Sequence, residues 1–212
     1  MPSLLPCAAL ALGLGLLPMA PMTGMAQHGR AGGGRTNGRP AATARLRHDT
    51  AASLGPGLEA LIRQALSAGP PHVTEDATVM APDSLGRLME LRRGTNGFTC
   101  FPDSPDTPGL DPMCVDAQGL RWLESWMRHD MRPGNTAPGI VYMLQGATDI
   151  SATDPWARPG RETRWIVSPP HYMVLWPFDT LVTGLSARPK RTGSWIMWAG
   201  TPYAHLMVNQ VP

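Results

Sequence analysis

The sequence predicts an α+β fold with a mainly antiparallel sheet, two principal helices and one disulfide. Three observations predict it. Helical spacing of apolar residues occurs twice, at Leu58–Leu66 and over about Asp116–Asp130, while short runs of β-forming residues outnumber these segments. No strand–helix alternation of the kind that builds a parallel sheet persists along the chain. Only Cys100 and Cys114 lie beyond an N-terminal segment that reads as an export signal. An even pair in an oxidising compartment is most simply a disulfide.

Residues 1–26 form that segment. No charged side chain occurs before Arg30, Leu4–Leu17 is a run of Leu, Ala and Gly broken by Pro6 and Cys7, and Gly24-Met25-Ala26 offers small residues for cleavage after Ala26. The run lacks a Lys or Arg ahead of it, so the α-amine alone supplies positive charge. An uncleaved anchor is the alternative, since the uncharged stretch exceeds about 18 residues; its prolines and glycines disfavour a spanning helix. Localisation is then periplasmic or secreted, with no stable membrane span after cleavage. Residues 27–53 are Gly- and Arg-rich, with one Leu and no aromatic residue. They cannot bury enough apolar surface to offset chain entropy and read as a flexible linker. Residues 54–212 hold all seven Trp and form one domain.

Within it, Leu58, Leu61, Ile62, Ala65 and Leu66 make one face of a helix with Pro56 at its first position and Gly69-Pro70 beyond its end. Arg87–Arg92 and Phe98–Phe101 flank Thr95-Asn96-Gly97 and predict a hairpin. Cys100 and Cys114 enclose a loop rich in Pro, Asp and Gly, whose closure is worth about 3 kcal/mol in the chain-entropy account. A redox or metal thiolate pair is the alternative, without CxxC spacing to support it. The second helix starts at the N-cap Asp116, buries Leu120, Leu123 and Met127 beside Trp122 and Trp126, and pairs Glu124 with Arg128. Gly139–Leu144, Tyr172–Trp176, Ser194–Trp198 and Tyr203–Val208 read as strands between Pro/Gly-rich loops.

Composition excludes several classes. Eighteen basic and 16 acidic residues give a net charge of +2, without the basic footprint of a nucleic-acid binder. Signatures such as GxSxG, HExxH, SxxK, a P-loop or an EF-hand loop are absent from the sequence.

The histidines carry the sharpest chemical signal. Residues two apart share a strand face, so His171 and Met173 point together, as do Tyr203, His205 and Met207. If the two strands are neighbours, two imidazoles and two thioethers converge. That donor set suits copper, above all Cu(I), with zinc a further possibility at the histidines. The plainer alternative is a core in which Met fills gaps and His is hydrogen-bonded. Asp103, Asp106, Asp111 and Asp116 could hold Ca²⁺, although Asp-Pro and Ser-Pro turns explain them as well. A carboxylate could instead orient His171 or His205 as the general base of a hydrolase, with Ser151, Ser168, Ser194 or Thr201 as nucleophile. Trp195 and Trp198, three apart, cannot both face one side of a strand, so one is expected exposed and free for envelope contacts.

Gly94-Thr95-Asn96-Gly97-Phe98-Thr99-Cys100, Asp111-Pro112-Met113-Cys114 and Trp198-Ala199-Gly200-Thr201-Pro202-Tyr203-Ala204-His205-Leu206-Met207 resemble motifs of a family of uncharacterised secreted bacterial proteins. The resemblance covers roughly Ala77 to Val208 and implies an exported domain. It implies no activity, catalytic residue or cofactor. The functional expectation is an exported domain binding a small ligand or metal at a cleft between His171 and His205. A hydrolase using either histidine, or a cell-envelope interaction module with exposed Trp, are the alternatives.

Overall fold

A computed structural model of the chain describes residues 56–210. The expected signal segment and linker lie outside the described residues. An eight-stranded sheet dominates, with strand order β2-β1-β3-β4-β5-β8-β10-β9. In chain order the strands are β1 (Thr78–Pro82), β2 (Leu88–Arg92), β3 (Thr99–Phe101), β4 (Met113–Val115), β5 (Gly139–Met143), β6 (Ala147–Asp149), β7 (Ile166–Ser168), β8 (His171–Leu175), β9 (Ser194–Met197) and β10 (His205–Asn209). β6 and β7 form a separate antiparallel pair. Every pairing in the large sheet is antiparallel except β1 with β3. Two 11-residue helices, α1 (Pro56–Leu66) and α3 (Ala117–Met127), accompany two short ones, α2 (Pro71–Thr74) and α4 (Thr180–Thr183).

The helices sit on opposite faces of the sheet. α1 buries Ile62 and Ala65 against Val79, Cys100 and Cys114, while Leu61 stays exposed. Cys100 stands directly opposite Cys114 in the β3–β4 register, and the two are disulfide-bonded and fully buried under α1. α3 covers the other face, where Val115, Val141, Met143, Leu175, Met197 and Met207 project. Asp116 caps α3, its Oδ1 accepting from the Gly119 amide at 2.7 Å. Helix and strand nearly touch where Gly119 crosses β5. A Cβ on Gly139 would lie 2.5 Å from the Gly119 nitrogen and 2.8 Å from its Cα. Two glycines at this crossing let α3 lie flat enough to lower Trp122 and Leu123 into the core.

Several sequence expectations are corrected. The buried stripe of α3 runs through Gly119, Trp122, Leu123 and Ser125; Met127 is exposed. A wide Trp beside a glycine crossing decides which face goes down. Arg128 pairs with Asp130 at 2.9 Å instead of Glu124, because the helix ends at Arg128 and the chain turns back. The Asn-Gly segment does not join a hairpin. β1 lies between the strands on either side of it, antiparallel to β2 and parallel to β3. Asn96 instead ties the loop to the Val73 carbonyl through its amide at 2.7 Å. The true hairpin joins β1 to β2 across Asp83–Arg87. There Asp83 Oδ1 accepts from the amides of Leu85 and Arg87, and Gly86 adopts φ 76°.

Candidate functional site

The site is built on one row-by-row face of the central strands. β5, β8, β10 and β9 are consecutive neighbours. Val141, Met173, Met207 and Trp195 form one cross-strand row. His171 stands between Met143 and Asn209 in a second row. His205 faces Met197 in a third. All these side chains share a face, because positions two apart and positions directly paired do so. The histidines lie on adjacent strands but four residues apart in register, roughly 14 Å between Cα atoms at about 3.3 Å per residue and 4.8 Å per strand. A single ion held by both at about 2.1 Å would require the rings to lean toward each other over the Met173–Met207 pair.

Each imidazole is fixed in the same way. His171 Nδ1 donates to the Pro169 carbonyl at 2.7 Å, and His205 Nδ1 to the Tyr203 carbonyl at 3.0 Å. A carbonyl only accepts, so Nδ1 carries the proton and Nε2 presents a lone pair. Both Nε2 atoms are buried without a hydrogen-bond partner. Burial holds His171 below the usual histidine range, and it carries His205 down to about 4. Both rings are therefore neutral at neutral pH.

Above this floor lies a cavity of about 400 Å³, lined by His171, His205 and five methionines, Met113, Met143, Met173, Met197 and Met207. Its wall is an indole stack. Trp122 lies parallel to Trp198 with centroids 5.9 Å apart, and Trp126 packs on Trp198 at 6.1 Å. The stack holds the loop after β6 in place. Trp126 Nε1 donates to the Pro155 carbonyl at 2.9 Å, and Trp198 Nε1 to that of Ser151 at 2.9 Å. That loop and the segment from Pro102 to Asp111 complete the lining, with Asp106, Asp111, Asp149 and Asp154 among them. Burial pushes the Asp149 carboxyl up to about 7, and the nearby Asp111 adds to the shift.

The sequence-derived site residues divide accordingly. His171, His205, Met173 and Met207 all line the cavity. Tyr203 does not. It sits in the turn before β10, fully buried, edge-on to Trp122 and donating from its hydroxyl to the Asp130 carbonyl at 2.9 Å. It supports the wall from behind. Ser151 and Thr201 spend their hydroxyls on local turns, and neither histidine receives a hydrogen bond at Nε2. Of the acidic set, Asp116 is a helix cap, and Asp103 and Asp111 close their own loop through the Asp111 and Ser104 amides. Among the described residues no three His, Cys, Asp or Glu side chains gather closely enough to hold a metal. Trp195 and Trp198 are both buried. β9 ends at Met197, and Trp198 takes φ 53°, which frees its ring from strand alternation. Trp176, 39% exposed, is the exposed tryptophan of the described residues.

Sequence reasoning missed Met143, Met197 and Asp149. Alternation along Gly139–Met143 would have placed Met143 on the His171 face once the β5–β8 register was known. Nothing local marks Asp149.

No family model, curated protein or solved structure matches the chain.

Proposed function

We propose that this is an exported binding domain that holds a small ligand in the cavity between the sheet and α3, with His171 Nε2 and His205 Nε2 as acceptors. One observation carries the reading. Two fully buried imidazoles, each with Nδ1 tied off, leave unpartnered lone pairs at the same cavity. A buried acceptor without a donor costs about 1–3 kcal/mol. Apolar residues of similar size would fill this floor without that cost, so the arrangement fits a ligand that supplies the donors. Export is supported by the apolar N-terminal segment and the Cys100–Cys114 disulfide.

A second reading rests on the thioethers. Met143 stands beside His171 and Met197 beside His205, with Met173 paired to Met207 between them. Imidazole and thioether together form a soft donor set that suits Cu(I) better than a hard cation.

One preparation tests both. The mature chain is purified from an oxidising periplasm beside a His171→Ala/His205→Ala variant, and intact mass under native conditions and metal content are measured. An organic adduct lost in the variant supports the ligand reading. Near-stoichiometric copper or zinc lost in the variant supports the metal reading. Absence of both, together with no thermal shift from a fragment set or from Cu(I), sinks the cavity as a binding site.

A further inference from the structure

The cavity has a charge asymmetry that its histidines do not explain. Four aspartates line it, Asp106, Asp111, Asp149 and Asp154, and no lysine or arginine does. Asp111 is buried and already engaged. Its Oδ1 accepts from the Ser104 amide at 3.1 Å and its Oδ2 from the Thr107 hydroxyl at 2.6 Å. Asp149 is different. It ends β6, is half-buried, and its carboxyl gains no hydrogen bond that would favour the charged form. It faces the cavity with Asp111 close enough to repel it. On the floor, His171 Nε2 and His205 Nε2 are also unpartnered, in residues 0% and 1% exposed. The cavity thus offers two imidazole acceptors and one carboxyl without a hydrogen bond, beside the Thr148 hydroxyl and with no basic side chain in the lining. The remaining lining is aromatic and thioether surface, from Trp122, Trp126, Trp198 and the five methionines.

A ligand for such a space must bring positive charge and N–H donors at one end and an apolar body at the other. An anion meets repulsion. A zwitterionic amino acid would bury a carboxylate with no cation to pair it, at a prohibitive desolvation cost. We infer that the cavity takes a small primary arylalkylamine as its ammonium, the N–H groups donating toward Asp149 and the histidine Nε2 acceptors and the ring lying against the tryptophan wall. The inference rests on the cavity being a ligand site and names the ligand's chemistry. The volume of about 400 Å³ falls in the lower part of the range of small-molecule sites. Indole faces add attraction for a cation near them.

The test compares 2-phenylethylamine with 2-phenylethanol, nearly equal in shape and differing in charge, by calorimetric titration of the full mature chain slightly above neutral pH. The amine is expected to bind at least about tenfold more tightly, the scale of one charge-assisted hydrogen bond. Asp149→Asn is expected to remove that preference while leaving the affinity for the alcohol in place. Equal binding of the two probes to the native chain overturns the ammonium assignment and leaves the cavity reading standing. Binding of neither, up to millimolar concentration, overturns both. The native-chain ratio decides the matter even if Asp149→Asn fails to fold.

Discussion

Acid should weaken this fold through His205, by an amount that can be worked from its surroundings. The ring is fully buried, edge-on to Trp122 at 5.5 Å and to Trp198 at 5.0 Å. Burial lowers its pKa from 6.5 to about 4, against the opposing hydrogen bond to Tyr203 and with a further push from His171. Between those two values the unfolded chain binds a proton that the folded chain refuses. Stability is therefore fully present above 6.5 and falls as pH drops toward 4. At about 1.4 kcal/mol per pKa unit, acidification from about pH 7 to about pH 4.5 removes roughly 2–3 kcal/mol through this group. Asp149 acts oppositely across the same range. Its folded value near 7 exceeds its unfolded 3.8, so acidification favours the folded state there. The raw profile mixes these with His171 and Asp111, which are also shifted, and a difference reports His205 together with its coupling to His171. Urea unfolding is followed by tryptophan fluorescence for the native chain and for His205→Gln at several pH values, Asp149 being present in both. The stability of the native chain minus that of the variant should shrink by roughly 2–3 kcal/mol toward the acid end. A difference constant within about 0.5 kcal/mol, the usual error of additivity, would refute a neutral, desolvated imidazole between the two indoles.

Two further perturbations test the frame that holds the cavity. Removing the disulfide in Cys100→Ala/Cys114→Ala, where 14 residues of sequence separate the sulfurs, should lower stability by about 3 kcal/mol in denaturant; an unchanged midpoint would mean the loop is ordered without it. Gly139→Ala places a methyl 2.5 Å from the Gly119 nitrogen and should cost about 1–3 kcal/mol as a lower Tm. Gly160→Ala, which meets nothing within 4 Å, serves as the control, and equal effects would discount the helix–strand crossing.

The strands that make the floor were legible because they consist of β-forming residues in short runs bounded by Pro and Gly, as in His171–Leu175 and His205–Asn209. Strand alternation alone was enough to put Met173 with His171 and Met207 with His205. Their neighbourhood was not legible. The β8–β10 pairing skips β9 in chain order, and such adjacency is fixed by tertiary packing. The same limit misplaced the hairpin, since Thr95-Asn96-Gly97 has turn chemistry in either arrangement. Only the insertion of β1 between the flanking strands decides its role. Tyr203 and Trp198 were misread for one reason. Both were assigned to strands by their neighbours in sequence, but each lies just outside a strand, where alternation no longer dictates direction.

What alternation cannot supply is the third dimension of the site. The floor comes from β5, β8, β9 and β10, the wall from α3 and Trp198, and the acidic lining from β6 and from loops distant from both histidines in sequence. Asp149 becomes chemically distinct only when the fold brings Asp111 into its neighbourhood and withdraws part of its water. Asp111 is held in place by the bonds it accepts from Ser104 and Thr107. The buried polar groups therefore have separable purposes. Asp111, Asp116 and Tyr203 are satisfied within the protein and hold the frame. Of the buried side-chain atoms left without a partner among the described residues, His171 Nε2 and His205 Nε2 belong to residues that line the cavity, whereas Asn135 Oδ1, Trp195 Nε1 and Asn209 Oδ1 do not. Stability alone would select against both imidazoles. Their common location makes ligand binding a better account of them than packing.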